Sequence, residues 1–413
     1  MAMSKVSTGG RTILSLTALG HFINDGNMWI IPGIVFPILS QMNINYATIG
    51  ILSSLYALIS ALASPLVPLT VRLTGGHMRA MGIGMLMWGL SIGVIALGFQ
   101  MHLLYLVYAG VLLAGVAAAF YHPIGSAVLS SKYGGNAGLA LGINGAFGSL
   151  GRSLYPLLAS IAVFGVGVIY GFNLWVFALA ACLIGIGVLI YSLRYFDVDP
   201  VKERRASAAY AKSLGVSIGL IALLTVITLL RNAVGQGIQT FIGIYLNKNL
   251  HISLSVNYGA MLALILSSSI IGQPLLGWLS DRVGRRLMAS LSTFAFAAFF
   301  IAFIFTGSLV YAFFSFMFLL SNFPLIMAVV GDVVPRELVG WATSIVWNVA
   351  VTGGNVVGSL ITGLLAQYYS ATYGESLGLE HAMLVVVILA FVSGLLWVLV
   401  PKPPKRSKVP LFS

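Results

Sequence analysis

The sequence predicts an all-α membrane protein of twelve transmembrane helices arranged as two six-helix bundles, and three observations predict it. Of the 413 residues, 59% are hydrophobic and 7% charged, and the mean hydropathy is +1.02, whereas soluble domains carry about 25% charged residues. Apolar segments of about 20 residues or more, long enough to cross a hydrocarbon core of roughly 30 Å, recur along the whole length. Lys and Arg gather in alternate loops, the pattern of loops retained on the cytoplasmic side of a membrane.

The expected spans run over 12–39, 47–71, 80–98, 103–130, 138–162, 165–193, 214–245, 256–279, 287–306, 308–330, 339–366 and 382–400. The first follows a short basic stretch (Lys5, Arg11) but is too long for a signal-peptide core and lacks a small-residue cleavage site, so it is expected to stay as a true span. The fourth carries Pro123, and the fifth a glycine series at Gly138, Gly142, Gly145, Gly148 and Gly151. The sixth holds Cys182, the single cysteine, which excludes an intrachain disulfide and a cysteine-based metal site. After it comes the longest polar stretch, RYFDVDPVKERRASAAYAK over 194–212, expected to be a cytoplasmic linker between an N-terminal bundle (1–193) and a C-terminal bundle (213–413). Lys5, Arg11, Arg72, Arg79, Lys132, Arg194, Arg282, Arg285, Arg286, Arg336 and Lys402 fall on the termini or on even-numbered loops, and Lys248 alone falls on an odd-numbered one. Both termini are therefore expected in the cytoplasm, in a plasma-membrane protein, and the net charge of +12 reads as topology, with no nucleic-acid partner expected.

The halves are weakly similar to each other, as in transporters built from repeated bundles. FPILSQMNINYATIGILSSLY from Phe36 lies over IGIYLNKNLHISLSVNYGAML from Ile242, which sets Asn24 opposite Arg231. PLVPLTVRLTG from Pro65 lies over PLLGWLSDRVG from Pro274, Pro123 matches Pro324, and Arg152 is paired with Gly354.

Between the eighth and ninth spans stand Gly277, Leu279, Asp281, Arg282, Gly284, Arg285 and Arg286. They fit G-x-L-x-D-R-x-G-R-R, and with this motif nearly the whole chain resembles the major facilitator superfamily. The matching loop between spans 2 and 3, PLTVRLTGGHMR, keeps Arg72, Gly75 and Arg79 but lacks the acid. LGHFINDG at 19–26 and the Phe120, His122, Pro123 sequence resemble the fosmidomycin-resistance type of drug exporter within that superfamily. The resemblance implies two bundles around a central cavity, alternating access, a monomer, and a gating role for Gly277, Asp281, Arg282, Gly284, Arg285, Arg286 and Arg72. Charge pairs and helix-end dipoles at such a rim contribute about 0.3–1 kcal/mol each.

A charge at the bilayer centre costs at least about 2.5–3.5 kcal/mol, so it persists only beside a partner, a substrate or a wet cavity. Asp25, Arg152 and Arg231 are the three charges deep inside apolar segments. His21, Asn24, Asp25 and Met28, spaced by three and four, share one helix face. Asp25 is the expected proton carrier, with His21 and with His122, whose imidazole titrates near neutral pH; the alternative is a structural ion pair. Arg231 heads a second stripe with Asn232, Gln236 and Gln239, and arginine's planar fork suits carboxylate, phosphate or phosphonate. Arg152, Arg231, Asn24, Tyr121, Asn232, Gln236, Gln239, Gln273, Asn322, Asn348 and Asn355 are the expected substrate contacts, though interhelical polar contacts average only about 0.6 kcal/mol and also serve as packing. Trp29, Trp175 and Trp347 read as packing.

No phosphate-binding loop of the G-x-x-x-x-G-K-[ST] type, no H-E-x-x-H and no metal-spaced cluster occurs in the sequence, so neither a cofactor nor a metal is expected. The G-x-S-x-G at Gly215, Ser217 and Gly219 opens a span and lacks the strand-to-helix turn of a nucleophile elbow. The expectation is a transporter and not an enzyme. It exchanges protons for a small organic anion or amphiphilic drug, which it exports, with Asp25 pairing Arg231 or Arg152 and with proton and cargo competing for one cationic site. Proton-coupled uptake of an organic anion, and an uncoupled facilitator, stay open as alternatives.

Overall fold

The computed structural model describes residues 3–133, 137–165, 172–194, 218–334 and 339–402. Twelve of their helices are long and apolar enough to cross a membrane: α1 Gly10–Gln41, α2 Tyr46–Ala63, α3 His77–Gln100, α4 Leu104–Tyr133, α5 Leu139–Gly165, α6 Trp175–Leu193, α7 Ile218–Lys248, α8 Val256–Val283, α9 Arg285–Thr306, α10 Leu309–Val333, α11 Ala342–Tyr373 and α12 Glu375–Leu399. α1–α6 pack as one bundle and α7–α12 as a second. Most of the expected linker lies outside the described residues.

Four spans differ from the sequence reading: α6 begins at Trp175 in place of 165, α11 runs to Tyr373 in place of 366, and two others differ for a readable cause. The expected 47–71 segment is two helices, because Pro65 has no N–H to donate and its ring collides with the preceding turn; α2 stops at Ala63 and a short helix, Leu66–Thr74, follows. The last span starts at Glu375 instead of 382. Its polar GESLGLEH start reads as loop, yet an acid in a first helical turn is favoured by the positive end of the helix dipole.

The bundles meet along two helix pairs, α2 with α11 and α5 with α8. On the side of the odd-numbered loops this seam is closed. A Cβ on Gly50 would lie 2.8 Å from Gly363 Cα and 2.7 Å from the Ser359 carbonyl oxygen, so the two backbones touch where neither has a side chain. One turn further along, the hydroxyls of Ser53, Thr240 and Ser359 form a buried triangle with 3.0 Å sides, and Ser54 donates to the Val356 carbonyl. Tyr258 of α8 donates to the Gly33 carbonyl of α1 at 2.6 Å. Tyr46 donates to the Glu375 carbonyl, and Glu375 is ion-paired with Lys248.

Between the bundles lies a cavity of about 590 Å³ that reaches Ser64, Pro68, Thr343 and Ser344, on the side of the termini. Two π-helical turns border it, Ile31–Val35 in α1 and Val346–Val351 in α11. Such wide turns concentrate at functional sites.

Gly50→Val is expected to force α2 from α11 and open the sealed end, since overpacking costs about 1–3 kcal/mol. In a Cys182→Ser background, labelling of Ser359→Cys by a membrane-impermeant thiol reagent should rise about tenfold. Unchanged labelling would mean that the seal is held elsewhere.

Candidate functional site

The site begins with a carboxylate that has no water to solvate it. Asp25, 3% exposed, sits mid-way along α1, where a charge needs partners of its own. Three side chains supply them. His21 Nε2, one turn back on α1, is 3.4 Å from Asp25 Oδ2. His122 Nε2 of α4 is 3.5 Å from Oδ1, and Arg152 Nε of α5 is 3.7 Å from Oδ2. Asn24 Nδ2 also donates to Oδ1, at 3.0 Å.

The surrounding helices hold these groups in place. Trp88 of α3 donates to Asn24 Oδ1 at 2.9 Å. His21 stacks on Tyr121, with ring centroids 4.7 Å apart. Its Nδ1 is 2.8 Å from Asn144 Oδ1 of α5. Arg152 donates from Nη2 to Ser149 Oγ at 3.0 Å. A Cβ on Gly148 would lie 2.4 Å from His21 Nε2, so the imidazole fills room that only glycine leaves.

The cluster meets the cavity through His122, whose side chain is 36% exposed against 5% for Asp25. Across the bundle boundary its ring faces Trp347 of α11, with centroids 6.3 Å apart. Met28, Trp29, Tyr56 and Pro123 line one wall, and Gln236, Gln239, Trp347, Asn348, Thr352 and Asn355 the other. Trp29 and Trp347, read from sequence as packing, thus border the cavity. Among the described residues the walls carry no Asp, Glu, Lys or Arg.

Seven of the eleven expected contacts lie off these walls: Asn24, Tyr121 and Arg152 belong to the cluster around Asp25, and four lie away from it. Arg231 is 4% exposed. It donates to the Phe318 and Leu319 carbonyls at 3.3 Å and lies over the Phe296 ring at 4.4 Å, inside the second bundle. Of the two arginines expected to pair with Asp25, Arg152 faces it, while Arg231 is turned toward carbonyls and a ring of its own bundle. Asn322 donates to Thr293 Oγ1 in the same bundle, and Asn232 donates to the Thr228 carbonyl of its own helix. Gln273 of α8 is half-buried and not part of the cavity wall.

At the terminal-side rim, Arg285 bridges two acids, donating to Asp332 Oδ1 and Oδ2 at 3.0 and 3.1 Å and to Asp281 Oδ1 at 3.2 Å. Arg282 covers the Trp278 ring at 3.8 Å, and Arg286 donates to the Val398 carbonyl. Gly284 turns the chain at φ +105°, and Gly277 precedes it on α8 with open space beside its Cα. In the first bundle Arg72 is exposed, and Arg79 donates to the Thr74 carbonyl at 2.7 Å where the other half uses an acid.

His21, Asp25 and His122 offer donor atoms within 4.8 Å of one another. A divalent cation fits poorly here, since the one anionic ligand already faces the Arg152 cation. The same arrangement suits protons, which redistribute over two imidazoles and a carboxylate without adding a second fixed cation. Asn144, Tyr56 and Asp332 escaped the sequence reading. Asn144 has one readable signal, a position four residues after Ala140 in a glycine-rich span and eight before Arg152.

Two segments of the chain, residues 17–232 and 221–413, match the sequence model of the Major Facilitator Superfamily. An uncharacterized MFS-type transporter, YfnC of Bacillus subtilis (strain 168), is 24% identical over 419 residues, covering 98% of this chain and 96% of its own. The fosmidomycin resistance protein of Escherichia coli (strain K12) is 26% identical over 284 residues, 66% of each chain. Among solved structures, a bacterial homolog of the human lysosomal transporter Spinster in an inward-facing, unoccupied conformation superposes with a TM-score of 0.76 at 16% identity, over 95% of this chain and 96% of that one. A D-xylose-proton symporter superposes with a TM-score of 0.75 at 13% identity, over 95% and 98%. At such identities the superpositions establish the fold.

Asp25→Asn removes the carboxylate facing Arg152 and is expected to destabilise the protein by about 3 kcal/mol, the lower end for a broken buried pair. Adding Arg152→Gln should recover much of that loss in thermal unfolding of the purified protein. Strictly additive losses would show that the two groups are not coupled.

Proposed function

Because the chain belongs to the Major Facilitator Superfamily, we propose that it is a proton-coupled secondary transporter of small organic anions, working by alternating access in the plasma membrane as a monomer. The observation that carries this reading is the Asp25, His21, His122 and Arg152 cluster opening onto the cavity at His122. The charge arithmetic is short. With both imidazoles neutral, Asp25 and Arg152 cancel, and each proton taken up adds one positive charge. In a low-dielectric interior that charge is felt strongly across the cavity wall. A proton therefore strengthens the hold on an anion, and by linkage the anion strengthens the hold on the proton.

This sign differs from the competition expected from sequence. That expectation has an arginine paired with ionised Asp25 and freed on protonation; Arg152 is so paired, while Arg231 and Arg152 both lie off the cavity wall, so the cargo senses the net charge of the cluster in place of a freed guanidinium. Co-binding supports movement of anion and proton in one direction. The Lys and Arg asymmetry supports cytoplasmic termini, so the cavity on the terminal side corresponds to an inward-open state. Rim residues Asp281, Arg282, Arg285 and Arg286, with Gly277, Gly284 and Arg72, act in this reading as the conformational gate. Gln236, Gln239, Asn348 and Asn355 contact the body of the cargo.

A second reading, export of an amphiphilic drug against protons, has its own support. One relative, similar over 66% of each chain, is a fosmidomycin resistance protein, and the walls carry Trp29, Tyr56 and Trp347. Under that reading the cargo leaves as the cluster takes up a proton.

Proteoliposomes carrying a luminal pH dye separate the two. Under an imposed pH step, fosmidomycin, simple carboxylates, phosphonates and cationic drugs are added in turn. Anions are expected to draw protons with them in the same direction, and Asp25→Asn to abolish the coupled proton movement. Proton movement opposite to cargo would favour export, and a response to cations alone would end the anion reading.

A further inference from the structure

We infer that Asn144 is a positioning residue that fixes the tautomer of His21, so that the transported proton sits on His21 Nε2, facing Asp25. The inference rests on the proton-coupled reading above and names the atom at which that reading stores its proton.

A chain of contacts fixes where the hydrogens lie. Tyr121 Oη lies 2.6 Å from the Thr17 carbonyl oxygen. A carbonyl only accepts, so the phenol's single hydrogen points there. Asn144 Nδ2 lies 2.9 Å and Oδ1 3.0 Å from the same Oη. With its hydrogen committed to Thr17, the phenol oxygen accepts, and the Asn144 amide must turn its NH2 toward it. That orientation leaves Asn144 Oδ1 for His21 Nδ1, 2.8 Å away, and Nδ1 must donate. A neutral imidazole has one N–H. If Nδ1 holds it, Nε2 presents a lone pair to Asp25 Oδ2 at 3.4 Å, acceptor against anion. A proton on Nε2 is the one addition that satisfies every contact at once. Asn144 itself is 4% exposed, so no water competes for its amide.

Loss of that proton leaves a conflict. Nδ1 can keep its bond while Nε2 faces the carboxylate bare. Alternatively the remaining hydrogen moves to Nε2, and Asn144 must flip, which undoes its bond to Tyr121. In the second case deprotonation at α1 is passed to α4 and α5 through Tyr121 and Asn144. The charged and titratable groups facing His21 are Asp25 from its own helix, Tyr121 and His122 from α4, and Arg152 from α5. Tyr56 of α2, whose hydroxyl is buried without a hydrogen-bond partner among the described residues, lies within electrostatic reach of Asp25.

The test is nitrogen-15 NMR of the whole protein, labelled at its six histidines, in nanodiscs titrated across neutral pH. His21 is assigned from the signal missing in His21→Gln. The expected result is that His21 titrates from an imidazolium and that the nitrogen losing its proton is Nε2. Asn144→Leu should move the midpoint to lower pH by about one unit, a tenfold change in proton activity. Asn144→Asp should move it upward by a similar amount. A packing role alone would move both variants in the same direction or neither. If Asn144→Leu does not fold, Tyr121→Phe, which keeps the ring and frees the amide to flip, carries the same downward expectation. Loss of the proton from Nδ1, or unmoved midpoints in the variants, would overturn this inference and leave proton coupling standing. A wild-type His21 that titrates as expected in a protein showing no proton movement in proteoliposomes would overturn the underlying reading instead.

Discussion

One buried carboxylate organises this molecule. Asp25 is buried at mid-depth, and the protein gathers around it what water would have provided: two imidazoles, a guanidinium and an amide from α1, α4 and α5. The requirement propagates outward. Gly148 leaves room for one imidazole, Trp88 fixes the amide, and Tyr121 with Asn144 orients the other side of the same imidazole. Because buried polar networks are costly when incomplete, a change in one proton is felt by every member.

The halves of the chain have divided the labour. The first bundle keeps a titratable cluster at mid-depth and a rim where Arg79 caps a helix end through the Thr74 carbonyl. The second keeps a rim where Arg285 joins Asp281 to Asp332, and at mid-depth a guanidinium held by carbonyls and a ring. Asn24 and Arg231, opposite one another in the internal repeat, are both immobilised within their bundles. The repeat therefore preserved a position for a buried polar group while its chemistry diverged.

Much of this was legible in the residues. Span number follows from hydropathy, and Asp25 with Arg152 follows from the cost of charge in an apolar segment. The fate of Arg231 was not legible, because a sequence does not tell whether an arginine is answered by a carboxylate or by backbone carbonyls of a neighbouring helix. Asn144 and Tyr56 looked like ordinary packing residues, since one amide or phenol among small residues has the same composition whether it glues helices or sets a tautomer. The start of α12 was misread for a simpler reason: Glu375 and Glu380 resemble loop residues until the end of a helix is there to stabilise them. Pro65 was visible, but an apolar run on both sides of it disguised the break.

The wide turn in α1 has a geometric meaning. Asp25 must point toward α4 and α5, while the Gly33 carbonyl two turns on must point toward Tyr258 of α8. Each residue of an α-helix advances the azimuth by about 100°, so the angular offset between these two groups is set by how many residues lie between them and how tightly they are wound. The five-residue π segment from Ile31 to Val35, with Pro32 supplying no N–H to the ladder, winds more loosely there and resets that phase. One rod thus serves two masters facing different ways, and its compass correction is built into the backbone itself.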